Sequence, residues 1–76
     1  MTLFDGKVNG KYIVESVDVN IKTKKRLQDM GITQGVSIKI MSKLGEHAYI
    51  LRIRGSRVAL GRDITDKIIV KDIASE

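Results

Sequence analysis

The chain of 76 residues contains no cysteine and no proline, and its only aromatic side chains are Phe4, Tyr12 and Tyr49. Without cysteine, neither a disulfide framework nor a thiolate metal site can hold the fold together, and a zinc ribbon is excluded. The same absence fits a reducing compartment. Three aromatics are poor material for a platform on which single-stranded bases stack. No apolar run approaches the ~20 residues of a membrane-spanning helix, and Met1 to Asp5 lacks the basic and apolar regions of a secretory signal. No proline marks an edge strand, and no repeat or low-complexity tract interrupts the chain. The expectation is a single soluble cytoplasmic domain spanning residues 1–76. A domain of that size buries only roughly 60 % of its unfolded surface, so its core is thin. So thin a domain leaves little room for a pocket of ~300 Å³ or more.

What the sequence does have is basic charge and short runs of β-formers. Fourteen Lys and Arg against nine Asp and Glu give a formal charge of +5. That balance points to an acidic protein surface, nucleic acid or anionic lipid as partner. Leu3, Phe4 and Val8 can tie residues 1–9 onto a core without defining an element. Lys11 to Val17 reads as a first strand, with Tyr12 and Val14 inward and a bulge that lets Val17 face in too. A second strand runs from Val36 to Leu44, with Val36, Ile38 and Ile40 alternating against Ser37, Lys39 and Met41. Gly45-Glu46 connects it to Ala48–Arg54, where Tyr49, Leu51 and Ile53 share one face and Ile50, Arg52 and Arg54 the other. Arg54-Gly55-Ser56-Arg57 reads as a Gly-Ser turn into Val58–Leu60. Asp63 is placed to cap one helical turn over Ile64–Lys67, Ile68–Ile73 is the last strand, and Ala74-Ser75-Glu76 is expected to fray.

The most informative stretch is Arg26 to Ile38. A helix of about ten residues, capped by Asn20 or Thr23, ends at Met30, with Ile21, Leu27 and Met30 as its apolar stripe. Gly31 then falls at the position after the C-cap, where a left-handed backbone suits glycine. Leu27 and Ile32 occupy the two sites whose apolar contact closes a Schellman motif. Gln34-Gly35 supplies the centre of a type II turn. Lys22, Lys24, Lys25 and Arg26 crowd the front of this helix and Asp29 sits near its end, both against the macrodipole, which favours the reverse by ~0.3–1 kcal/mol per charge. Five short strands joined by glycine turns, with a helix after the first, favour a mainly β fold: a small SH3-like five-stranded β-barrel with an inserted α-helix, closed or nearly closed, since closure removes exposed edges.

The order Arg26-Leu27-x-Asp29-Met30-Gly31-Ile32-x-x-Gly35-Val36-x-Ile38, then Arg52-x-Arg54-Gly55, Val58-Ala59-Leu60 and Ile68-x-Val70, resembles the FeoA family. The resemblance runs from about Leu3 to Val70, and Gln34 departs from it where the family often has proline. It implies an SH3-like barrel without catalysis or cofactor. The implied role is modulating ferrous iron uptake by binding the cytosolic G-domain of the FeoB-type membrane transporter. The family also carries a description of transition-metal binding, and the same domain occurs fused to metal-dependent repressors of the diphtheria-toxin-repressor type. With no helix-turn-helix region ahead of it, the chain reads as a stand-alone protein. A module of a metal regulator and a small basic nucleic-acid-binding barrel are the alternatives, although the scarcity of aromatics argues against single-strand stacking.

Two sets of cations are candidate partner contacts. Lys22, Lys24, Lys25 and Arg26 either face an acidic patch on the transporter or form a solvated helix face. Arg52, Arg54 and Arg57 either make a second basic surface or protect an edge strand from pairing. Leu27, Gly31, Ile32, Gly35, Gly55 and Leu60 are structural candidates, and Leu27 with its helix can also border a groove for a partner peptide. Met30 and Met41 read as packing filler. His47, alone beside Glu46, cannot fill a transition-metal site that needs three or four ligands, so no metal site is assigned. No Ser/His/Asp or Cys/His arrangement, no paired carboxylates and no GxxxxGK[ST] loop occur, so no catalytic residue is assigned.

Overall fold

The computed structural model describes residues 1–73, so the expectation for Ala74 to Glu76 lies outside the described residues. A 3₁₀ turn at Leu3–Asp5 precedes β1 (Lys11–Val17), α1 (Ile21–Asp29), β2 (Ser37–Leu44), β3 (Ala48–Ile53), β4 (Ser56–Gly61), α2 (Arg62–Thr65) and β5 (Ile68–Asp72). The strands form one sheet in the order β4-β3-β2-β1-β5, with every neighbouring pair antiparallel. Two register shifts bend it: one in β1 between Val14 and Ser16, the other in β2 between Ile40 and Ser42. An extra residue in one strand kinks the ladder and raises its twist. The first of these bulges is the slip that carries Val17 against the core, as the sequence pattern requires.

The sheet does not close fully among the described residues. β4 and β5 end the hydrogen-bonded order and remain edges. The β5 edge is covered, because Val70 N–H donates to Met1 O at 2.9 Å and Thr2 bridges Ile69. The N-terminal segment is therefore a defined element, which the sequence reading did not expect. Leu3 is fully buried, and the Asp5 carboxylate accepts from both the backbone N–H and the hydroxyl of Thr2 at 3.1 Å. Tyr12 and Val14 of β1, Ile38 and Ile40 of β2, Tyr49, Leu51 and Ile53 of β3, Leu60 of β4 and Ile68 and Val70 of β5 point into one core. Full burial of such a side chain contributes ~1.5–3 kcal/mol, which is how so small a sheet holds together.

The corner between α1 and β2 follows the sequence closely. Ile32 N–H donates to Leu27 O at 2.8 Å and Gly31 N–H to Gln28 O at 3.0 Å, the paired bonds of a Schellman motif. Gly31 has φ +89°, a conformation an L side chain resists. Gly35, at φ +88°, sits in the Thr33–Val36 turn, where Val36 N–H donates to Thr33 O at 3.1 Å. That turn is stitched to β1 by Gly35 N–H to Val14 O and Val14 N–H to Val36 O.

Four local expectations are corrected. The β2–β3 loop has three residues, Gly45 to His47, since Leu44 pairs with Ala48. The β3–β4 turn centres on Arg54-Gly55 rather than Gly55-Ser56: Ile53 pairs with Ser56, and both central residues have positive φ, +51° and +82°. That is the type I′ geometry whose twist matches a hairpin. Gly61, not Asp63, is the N-cap of α2, and Asp63 lies in its first turn. Ile21 is 85 % exposed and not part of a buried stripe. At ~100° per residue, Ile21 lies about a third of a turn away from Leu27, whereas Thr23, Leu27 and Met30 line up on the inner face.

Candidate partner-binding site

α1 starts at Ile21 because Asn20 Oδ1 accepts from Thr23 N–H at 2.8 Å, so Asn20 is the cap and Thr23 is not. Leu27 is the only buried residue of the helix. Everything on its outward side is available to a partner: Ile21, Lys24, Lys25 and Gln28 share that face and all are exposed. Lys22 and Arg26 are also exposed. The helix is only nine residues long, so Arg26 falls in its last turn, where the dipole favours a cation. The conflict with the dipole is thereby reduced to Lys22 and Lys24 at the front of the helix, where no acidic residue stands, and to Asp29 at its end.

The four cations do not form one patch. Lys24 and Gln28 border a groove with Ile32, Thr33 and Gln34. Arg26 borders another, of about 380 Å³, between α1, β4 and α2, together with Leu27, Met30, Leu60 and Ile64. This second groove is the one expected beside Leu27, although Leu27 is only 3 % exposed and forms its floor. Such valleys exceed the volume expected of a thin domain because they lie between elements rather than inside the core.

The second set of candidates divides as well. Arg52 and Arg57 stand directly opposite each other on β3 and β4, on the outer face of the sheet. Arg54 has left the strand for the turn, and its stem passes beside Gly31 at the end of α1: a Cβ on Gly31 would stand 4.0 Å from Arg54 Cδ. α1 packs on the inner side through Leu27, so the helix cations and the Arg52–Arg57 pair occupy different faces.

One arrangement was invisible in the sequence. The Phe4 and Tyr49 rings stack with centroids 5.8 Å apart. The Arg62 guanidinium lies 4.5 Å from the Phe4 centroid and Lys43 Nζ 5.1 Å from that of Tyr49. Phe4 and Tyr49 are 45 positions apart, so no spacing announces the contact. Tyr49 is 3 % exposed and its hydroxyl donates to Phe4 O, which makes the stack a fastening of the N-terminal turn rather than a surface for bases. His47 is exposed in the β2–β3 loop, and no group of three or more His, Cys, Asp or Glu forms among the described residues. No helix among them is long and apolar enough to cross a membrane.

A five-stranded antiparallel sheet with a helix inserted after its first strand, its exposed surfaces rich in cations, defines a small SH3-like module. The FeoA domain profile matches residues 1–72, and the chain belongs to that family. It is 32 % identical over 66 residues to the Methanocaldococcus jannaschii protein provisionally named Fe(2+) transport protein A, covering 87 % of this chain and 79 % of that one. Among solved structures it is similar to an FeoA-like protein of Clostridium acetobutylicum, with TM-score 0.86, 26 % identity, and 96 % of this chain and 86 % of that chain covered. It also shares the fold of the Stenotrophomonas maltophilia FeoA complexed with zinc, described as a prokaryotic SH3 domain protein, with TM-score 0.81, 24 % identity, and 93 % and 89 % of the two chains covered.

Proposed function

We propose that the chain is a non-enzymatic cytosolic accessory protein of ferrous iron uptake that binds the G-domain of a FeoB-type transporter and modulates it. The iron is the transporter's cargo, and no step is assigned to iron on this chain. The observation that carries the contact is Ile21. A β-branched side chain left 85 % exposed at the start of a helix, flanked by Lys24 and Lys25, has the form of an apolar anchor inside a charged rim. Its neighbours set the sign of the partner surface, which is acidic. Lys22 and Lys24 stand where the helix dipole disfavours them, so their charge serves binding rather than folding. Family membership supports the choice of a ferrous iron transporter as the partner.

A pull-down of the isolated G-domain by the immobilised chain tests the reading. Retention by the native chain, and its loss after Lys24→Glu, Lys25→Glu and Arg26→Glu or after Ile21→Asp, is the expected result. A G-domain that passes through unretained removes the proposed partner, and equal retention by the reversed variant removes these residues from the contact.

A further inference from the structure

Register across the sheet creates a feature that no single strand displays. Lys11 pairs with Lys39, Lys39 with Arg52 and Arg52 with Arg57, so four cations stand in one row across β1, β2, β3 and β4. With strands ~4.8 Å apart, the row is about 14 Å long. Like charges placed directly opposite one another destabilise a sheet, so folding does not account for three such pairs in succession. Protection of an edge accounts only for Arg57, because β1, β2 and β3 are interior strands whose backbone groups are already paired. Among the described residues, none of the four side chains makes a hydrogen bond or ion pair.

The row borders a groove of about 410 Å³, a volume suited to a small molecule. Lys11, Lys39, Arg52 and Arg54 line it together with Ser37, and among the described residues no carboxylate residue lines it. The next row on the same face, Ser42, Ile50 and Ala59, carries no charge, so the cations form a line rather than a broad basic plain. We propose that this row is a binding site for a free oligophosphate carrying about three or four negative charges, either inorganic or as the phosphate tail of a nucleotide. A linear anion laid across the strands meets Lys11, Lys39 and Arg52 in turn, with Arg54 closing one side. The narrow row and concave groove favour such an anion over a lipid surface, and the absence of an aromatic beside them disfavours single-stranded nucleic acid. The site lies on a different face from the α1 residues assigned to the transporter contact and does not depend on that assignment.

The test is an NMR titration of the isotopically labelled chain with sodium tripolyphosphate at low and moderate salt. Separate arms use phosphatidylglycerol vesicles and a short oligouridine. Saturable shifts centred on Lys11, Lys39, Arg52 and Arg54, weakening with salt, are expected. Lys39→Glu is expected to lower affinity at least tenfold while leaving the melting temperature equal or higher, because a carboxylate at position 39 stands between Lys11 and Arg52. The Lys24→Glu/Lys25→Glu variant is expected to bind as the native chain does. Absence of saturation, shifts centred on α1, undiminished binding by Lys39→Glu, or binding of vesicles or oligouridine without binding of tripolyphosphate overturns the proposal.

Discussion

Replacing Gly31 by alanine isolates the corner that joins α1 to the sheet. The added Cβ would meet Ile53 Cγ2 at 3.6 Å and Arg54 Cδ at 4.0 Å, both ordinary contact distances, so the substitution introduces no collision. What it introduces is an L side chain at φ +89°. Left-handed backbone costs a non-glycine residue about 1–2 kcal/mol, and the removal of glycine's freedom from the unfolded chain returns only about 0.4–1 kcal/mol when the native conformation is unstrained, which it is not here. A net loss of about 1–2 kcal/mol is therefore expected. In a domain of this size each kcal/mol moves the melting temperature by about 4–8 °C, so Gly31→Ala melts about 4–16 °C below the native chain. Gly31→Asn should lose less, since asparagine tolerates the left-handed region better. Thermal unfolding followed by far-ultraviolet circular dichroism reads both. An alanine variant as stable as the native chain, or an asparagine variant less stable than the alanine one, refutes the reasoning.

Leu27→Ala removes the one buried anchor of α1 and should cost about 2–5 kcal/mol, a large share of the about 4–11 kcal/mol available to a domain of this length. Urea unfolding measures it, and a loss below 1 kcal/mol means the helix is held by something else. Asn20→Ala deletes the cap bond to Thr23 N–H and should cost about 1 kcal/mol in the same assay. Lys22→Glu places an anion in the first turn and should stabilise the chain by about 0.3–1 kcal/mol at low salt, with the gain shrinking as salt is added. A destabilised Lys22→Glu variant shows that the cation has a structural partner.

Much of the fold can be read from residue patterns alone, because the strands alternate and the turns carry glycine. Tyr12 and Val14, Ile38 and Ile40, and Tyr49, Leu51 and Ile53 face the core as their period-2 spacing requires, and Gly31 and Gly35 hold the two positive-φ positions expected of them. What escaped the sequence did so for definable reasons. Ile21 was grouped with the core on its chemistry, whereas the helical angle puts it outside. Arg54 at φ +51° is a conformation a long side chain seldom adopts, so the turn was read one residue late. The N-terminal turn depends on Phe4 meeting Tyr49 from far along the chain. Of the candidate site, the exposed cations of α1 were visible one by one. Their separation into two flanks, and the row of Lys11, Lys39, Arg52 and Arg57, depend on helix packing and strand register, which no local pattern encodes.

Calorimetric titration of the chain into the isolated G-domain of a FeoB-type transporter bears most directly on the proposed role. The account predicts one-to-one binding that weakens as salt rises, and that falls at least tenfold, about 1.4 kcal/mol, when Lys24 and Lys25 are both changed to glutamate. No heat of binding at low salt, or an affinity untouched by that reversal, contradicts it.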